Sequence, residues 1–292
     1  MNHVISEHSR RAVDRLVDDY FAVSPLRDRR LFTEFLLEGN AHATLSSVEP
    51  RHFESALLAK LQLHMTIVLY DDLADHPRHA DPELLAALYL LNIDVEPPRV
   101  YFADDNRRRT YDLAISLLQG IISLLRSFPL GQELAPLLAF DIHQFYQANR
   151  YAALISRAPH LASMEELRAL GVHNMGLIAS WTIDLMASPG IDRSQVGRCR
   201  EIFALGQRVG RISNTLATHE RELAEGDWTN ELIVGSKNIA LDDHRRLLSE
   251  EAERLLSEIA ANERGVTAFD VGSYVDSLRR VQALHRDMQD II

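Results

Sequence analysis

No proline follows Pro189 in a chain of 292 residues, and all ten lie between Pro25 and Pro189. Proline ends or kinks a helix because its ring clashes with the preceding turn and it carries no N–H. The C-terminal third is therefore free to form long, uninterrupted helices, and its apolar spacing uses that freedom. Residues 193 to 223 place Val196, Ile202, Phe203, Leu205, Val209, Ile212 and Leu216 along one 3.6-residue stripe. Residues 242 to 263 repeat the habit with Leu247, Leu248, Leu255, Leu256 and Ile259, opened by Asp242-Asp243 at a helix N-terminus. Residues 273 to 290 read as a further helix. The whole chain holds 13 Gly and 10 Pro, against roughly 35 expected from average usage, so turns are scarce throughout.

The first half follows the same pattern. Asp81-Pro82-Glu83 predicts a helix start in cap-then-proline order, ahead of the apolar run from Leu84 to Leu91. Ser163-Met-Glu-Glu166 is a capping box leading into Leu167. Pro97-Pro98, Phe128-Pro129 and Ser188-Pro189-Gly190 mark breaks between helices. Alternating strand patterns, internal repeats and long linkers are absent. The expectation is an all-α chain forming a single domain over residues 1–292.

Composition narrows the function. A net charge of −11 argues against nucleic acid as a partner. The single cysteine, Cys199, excludes an internal disulfide framework and reads as a small apolar residue on a helix face. The N-terminal segment has no apolar h-region, and no run approaches 18 apolar residues. A cytoplasmic protein with no membrane span is expected. The thirteen histidines show no metal-binding spacing. Phe145, Tyr146, Tyr151 and Trp181 are candidates for a pocket wall, although aromatics at such spacing more often build core.

Two polar constellations stand out. Leu-Tyr-Asp71-Asp72-Leu-Ala-Asp75 ends an apolar helix running back through Ile67 and Leu63. Asp71 and Asp75 lie one turn apart and Asp72 three residues from Asp75, so the carboxylates can converge. Like charges at a helix C-terminus are unfavourable unless a cation or water offsets them, and hard oxygen ligands in that arrangement suit Mg²⁺. The plainer alternative is a solvated helix end entering the polar loop Asp75-His-Pro-Arg-His. The second constellation is Asn214-Thr-Leu-Ala-Thr218-His-Glu-Arg-Glu222. Asn214, Thr218 and Glu222 recur every four residues along one helix face, where Glu222 can reach back toward the shorter two. Alone, each is more often a solvated polar face of a helix.

Together the two motifs resemble the signature of bacterial class I terpene synthases. Tyr70-Asp71-Asp72-Leu73-Ala74-Asp75 is similar to that family's aspartate-rich motif, and Asn214 through Glu222 to its second metal motif. The likeness continues into Gly226, Asp227 and Asn230, and the separation of the two motifs is the family's usual one. Arg168 stands where bacterial members carry a diphosphate-sensing arginine, and Arg221 matches the basic residue before the final glutamate. The resemblance covers about residues 45 to 290. It implies an α-helical bundle with a central apolar cavity, and ionisation of an allylic prenyl diphosphate followed by cyclisation or rearrangement of the carbocation. It implies Mg²⁺ as cofactor, three ions with bound diphosphate, held by Asp71, Asp75, Asn214, Thr218 and Glu222. Arg168, Arg221 and Asn214 would bind substrate, with Asp71, Asp75, Arg168 and Glu222 catalytic; a homodimer is compatible with the family.

Several positions depart from the family pattern. Thr215 replaces the usual Asp, and the positions after Arg168 read Leu170-Gly171-Val172, leaving the effector carbonyl to the backbone of Gly171 or Val172. The C-terminal Arg-Tyr pair is missing. Arg279, Arg280 and Arg286 offer basic groups instead, with Arg279 and Arg286 on one helix face, where they would either close over an anion or remain solvated. Asp104-Asp105, followed by three arginines, reads as a helix start. In its short chain, missing Arg-Tyr pair and two tryptophans the sequence resembles small bacterial diterpene synthases, which implies a C20 substrate, including an already cyclised one, over C15 farnesyl diphosphate. Competing readings are a chain-elongating prenyltransferase, which would need a second aspartate-rich motif, and a catalytically silent helical binding protein.

Overall fold

The computed structural model describes residues 5–76, 79–236 and 238–292. The first four residues, and Pro77 and Arg78 of the expected loop after Asp75, therefore lie outside the described residues. Twelve α-helices occur among the described residues, and no β-strand does. In chain order they are α1 (Glu7–Phe21), α2 (Leu37–His42), α3 (Phe53–Ala74), α4 (Pro82–Leu88), α5 (Asp105–Leu125) and α6 (Gly131–Arg157). There follow α7 (Met164–Gly171), α8 (Leu177–Met186), α9 (Val196–Glu225), α10 (Glu231–Gly235), α11 (Leu241–Ala261) and α12 (Val271–Asp287). None of them is long and apolar enough to cross a membrane.

Local chemistry sets the helix starts. The Asp81 side chain accepts from the Leu84 N–H at 3.1 Å and Asp104 from that of Arg107 at 2.8 Å. Ser163 does the same for Glu166 and Asp270 for Ser273, each satisfying one of the orphan donors of a first helical turn. Asp104-Asp105 thus begins α5, and Asp242-Asp243 lie in the first turn of α11. Gly226 ends α9 with φ 74°, a left-handed conformation that glycine adopts without steric cost.

The α3 helix is apolar nearly all round, as suits a central element. Sixteen of its residues are buried, and it packs against α1, α2, α4, α5, α6 and α8. One continuous hydrophobic cluster runs from Val13 through α3, α6, α8 and α9 to Ile292. Phe145, Tyr146 and Trp181 belong to it. Tyr146 stacks on Tyr70 at 5.4 Å, and Trp181 packs against Phe203 and Tyr274. Tyr151 sits apart, its hydroxyl accepting from the Ser163 N–H at 2.9 Å.

Inside this core lies an ion pair with no counterpart in the sequence reading. The fully buried Lys60 ammonium of α3 is 2.9 Å from Asp184 of α8. It also donates to the Thr44 hydroxyl at 2.6 Å and the Asn40 carbonyl at 3.1 Å, so three acceptor groups share the cost of burying the charge. Ahead of α3, residues Leu31–Leu36 form a π-helical turn leading into α2. Its wider winding puts Leu31, Phe35 and Leu36 on the same side.

Candidate active site

A cavity of about 160 Å³ opens between α3, α9, α12, the π-turn and the segment joining α7 to α8. Along α3 its wall is formed by His64, Ile67, Val68, Asp71 and Asp75. At 1.5 Å per residue His64 lies about 10 Å deeper than Asp71, so the cavity has a charged mouth and a floor that is apolar apart from two histidines. Leu31, Phe35, Leu36, Met175 and His285 complete the floor. The α7–α8 segment reaches it through a turn at Gly176, φ 61°, where a Cβ would stand 2.2 Å from Ile67. A side chain there would be strained by the backbone and would have to displace the Ile67 methyl, which favours glycine.

At the mouth, α9 contributes Arg211, Asn214, Arg221 and Glu222, and the turn beyond it Asp227 and Thr229. Asn214 Oδ1 accepts from Arg211 Nη1 at 3.2 Å, while Arg211 Nη2 donates to the Thr229 carbonyl at 2.9 Å. Arg221 lies between Glu222 and Glu225, and its Nε donates to the Ile292 carbonyl at 2.8 Å. Glu222 is steadied by Asn230, whose amide donates to Glu222 Oε2 at 2.7 Å and to the Thr215 carbonyl at 3.0 Å. Gly226 turns the chain so that Asp227 faces the cavity and Asn230 returns to bolt Glu222. That geometry is the physical content of the run from Glu222 to Asn230.

The mouth carries an excess of carboxylates. Burial, with the neighbouring Asp72, pushes the Asp71 carboxyl up to about 7 against the pull of Arg27 and Arg211. Burial and the charges of Asp227, Asp71 and Glu222 raise Asp75 well above the ordinary range. Asp227 is raised to about 6 by burial and Glu222. Asp72 points the other way, to the far side of α3, where its Oδ1 accepts from Arg27 Nε at 2.8 Å. The Arg27 side chain also lines the cavity, and it forms no other hydrogen bond among the described residues.

No group of three His, Cys, Asp or Glu side chains converges on a common metal position among the described residues. The donor chemistry nevertheless fits a hard divalent cation. Asp71, Asp75, Asn214, Glu222 and Asp227 offer only oxygen to one cavity, and their mutual repulsion is the kind that Mg²⁺ offsets.

No protein-family model and no curated protein matches the chain. Solved structures do. Isoprene synthase from grey poplar leaves, in complex with three Mg²⁺ ions and dimethylallyl-S-thiolodiphosphate, superposes with a TM-score of 0.71 at 13% identity over 95% of this chain. The chain spans about half of that protein's length, 53%. Linalool/nerolidol synthase from Streptomyces clavuligerus, in complex with 2-fluorogeranyl diphosphate, gives 0.64 at 14% identity, covering 98% of this chain and 100% of that one. 2-Methylisoborneol synthase from Streptomyces coelicolor gives 0.63 at 14% identity, over 99% and 92%. This chain has the class I terpene synthase fold.

Within that fold, Asp71, Asp75, Asn214, Arg221 and Glu222 come together on one cavity wall. Thr218 does not reach it. Its side chain is buried and its hydroxyl donates to the Asn214 carbonyl at 2.9 Å. Arg168 also stands outside the cavity, where its Nε donates to Glu231 at 2.7 Å, and Glu231 in turn holds Arg208 at 2.8 Å. Gly171 and Val172 do not line the cavity, whereas Asn174 and Met175 do. The C-terminal arginines spread apart. Arg279 faces Glu253 at 3.9 Å, Arg280 lines a separate groove near Ser46, and Arg286 lines a polar groove between α9, α11 and α12. None lines the cavity. Arg27, Arg211 and Asp227 are additions to the mouth; Asp227 sat in the recognised run without a role, and Arg27 lies ahead of the region of resemblance.

Proposed function

We propose that this chain is a Mg²⁺-dependent class I terpene synthase, binding an allylic prenyl diphosphate and ionising its carbon–oxygen bond. The observation that carries this reading is the joining of a carboxylate- and arginine-lined mouth to an apolar floor in one cavity. Asp71, Asp75, Asn214 and Glu222 would hold the metal, with Asp227 beside them and Thr218 able to join only by turning its hydroxyl from the Asn214 carbonyl. Bound Mg²⁺ supplies Lewis-acid charge to the diphosphate oxygens. Arg211 and Arg221 add charge-assisted hydrogen bonds to the leaving group, and Arg27 can do so with its Nη groups, which make no hydrogen bond among the described residues. Arg168 would contribute by releasing Glu231. As the bond breaks, its electron pair leaves with diphosphate, and the apolar floor keeps water from the allylic cation.

Chain length is the finer question. A cavity of about 160 Å³ is comparable to one that admits benzene. A C20 tail requires the lining side chains to part, so the volume weighs toward five- or ten-carbon tails rather than the expected C20. Against the prenyltransferase reading, the second site offers Asn214, Thr218 and Glu222 in place of a second aspartate-rich motif.

Incubation with Mg²⁺ and dimethylallyl, geranyl, farnesyl or geranylgeranyl diphosphate tests the proposal, read as released diphosphate and as hydrocarbons or alcohols by gas chromatography. Turnover of at least one substrate is expected, reduced at least a hundredfold in Asp71→Ala and in Glu222→Ala with folding preserved. Unaltered turnover in either variant removes that residue from the site, and no metal-dependent release from any substrate overturns the function.

A further inference from the structure

The floor of the cavity holds a buried base that no step above uses. His285, in the last turn of α12, is 2% exposed and lines the cavity. Its Nδ1 lies 2.8 Å from the Val281 carbonyl, one turn back on the same helix. A carbonyl only accepts, so Nδ1 carries the proton and the neutral ring presents a bare lone pair at Nε2. Nε2 is buried and has no hydrogen-bond partner among the described residues. Because Nδ1 is tied to its own helix, Nε2 on the far side of the ring is turned away from α12. Phe35 of the π-turn meets the ring edge-to-face at 5.0 Å and 84°, fixing its plane. His64, the other histidine of the floor, differs, since its ring is engaged by the backbone of Lys60 and Met175.

A buried, fixed and unpartnered nitrogen costs free energy that packing alone does not explain. Resting on the function proposed above, we infer that His285 is the general base that ends the carbocation's life in this cavity. Nε2 would take a proton from the carbon next to the cationic centre. The C–H electron pair becomes the new C=C bond and the ring becomes imidazolium, which returns its proton to water once the product has left the cavity. A carbocation is so strong an acid that the base need not be strong; it must be neutral and within reach. Burial pushes the His285 imidazole down to about 4, which keeps the lone pair free at neutral pH and avoids a positive charge that would repel the cation.

The test separates ionisation from termination. Wild type, His285→Phe and His285→Gln are compared with Mg²⁺ and whichever of the four diphosphates turns over, recording diphosphate release, the alkene-to-alcohol ratio and the melting temperature. Phe keeps the ring's bulk. Gln keeps a polar head but offers only a far weaker amide base, so it serves if Phe fails to fold. The expected result is a fall of at least tenfold in the ratio of the wild-type alkene to alcohols or to its double-bond isomers, whatever the total rate. Product ratios within twofold of wild type in a folded variant overturn the role of His285 and leave the proposed function intact. Absence of diphosphate release by wild type overturns both.

Discussion

Asp71 shows what the site costs the metal-free protein. Its carboxyl is raised to about 7 by burial and by Asp72, against an unfolded value of about 3.9. The folded state therefore binds the proton more tightly than the unfolded state. Its stabilising share is fully present below about pH 4 and is lost as pH rises through about 7. Asp71→Asn should accordingly raise metal-free stability at pH 8, by about 1–2 kcal/mol once residual solvation at the mouth is allowed for, and flatten the dependence between pH 4 and 7. The same variant should lose diphosphate release. Calorimetry at pH 5 and pH 8 decides it, and a lower melting temperature than wild type at pH 8 would refute the repulsion argument. At this scale, residues that recur at helical spacing were legible in the sequence: Asp71, Asp75, Asn214 and Glu222 all face the cavity. Side-chain direction was not legible. Arg168 has a carboxylate partner in Glu231, and Thr218 a carbonyl partner within its own helix; neither partner follows from a motif. Arg27 lies in no spacing pattern, and its contact with Asp72 and its place on the cavity wall reveal it.

Among elements, the helices with strong caps and long apolar stripes were readable because their signals are local. α5, α7, α9, α11 and α12 follow the expected starts. The Lys60–Asp184 pair between α3 and α8 was not, because a lone lysine in an apolar run carries no sign of a partner in a helix far along the chain. The pair fixes how α3, which carries Asp71 and Asp75, sits against α8, which follows the cavity turn at Gly176. Lys60→Met leaves the Asp184 carboxylate buried without its counter-charge and should cost about 3–5 kcal/mol. Lys60→Met combined with Asp184→Leu removes both charges and should recover much of that loss. Denaturant melts of the two variants provide the comparison. A double variant no more stable than Lys60→Met would show that hydrogen bonds to Thr44 and Asn40, rather than the charge pair, hold these helices.

For the whole molecule, the all-α class followed from where proline stops, but the cavity did not, because five segments distant in sequence close around it. One is the N-terminal π-turn, outside the region of resemblance, and another ends at Ile292, whose carbonyl accepts from Arg221. Ligand binding at such a junction should stabilise the entire fold. The carboxylates of the mouth repel one another without a cation, and Arg27, Arg211 and Arg221 surround them. Mg²⁺ and inorganic diphosphate each complement one half of that charge pattern, so they should bind more tightly together than either does alone. A ligand at 100 times its dissociation constant adds about 2.7 kcal/mol. Each kcal/mol shifts the melting temperature of a chain of this size by about 2 °C or somewhat more. The combination should therefore raise it by roughly 5 °C or more, Mg²⁺ alone by less, and diphosphate alone least because the carboxylates oppose it. The order follows from charge alone and holds whichever prenyl chain the floor accepts. Equal shifts from Mg²⁺ alone and from Mg²⁺ with diphosphate would mean that the arginines of the mouth are fully committed to Asp72, Glu225 and the backbone, and do not receive a leaving group.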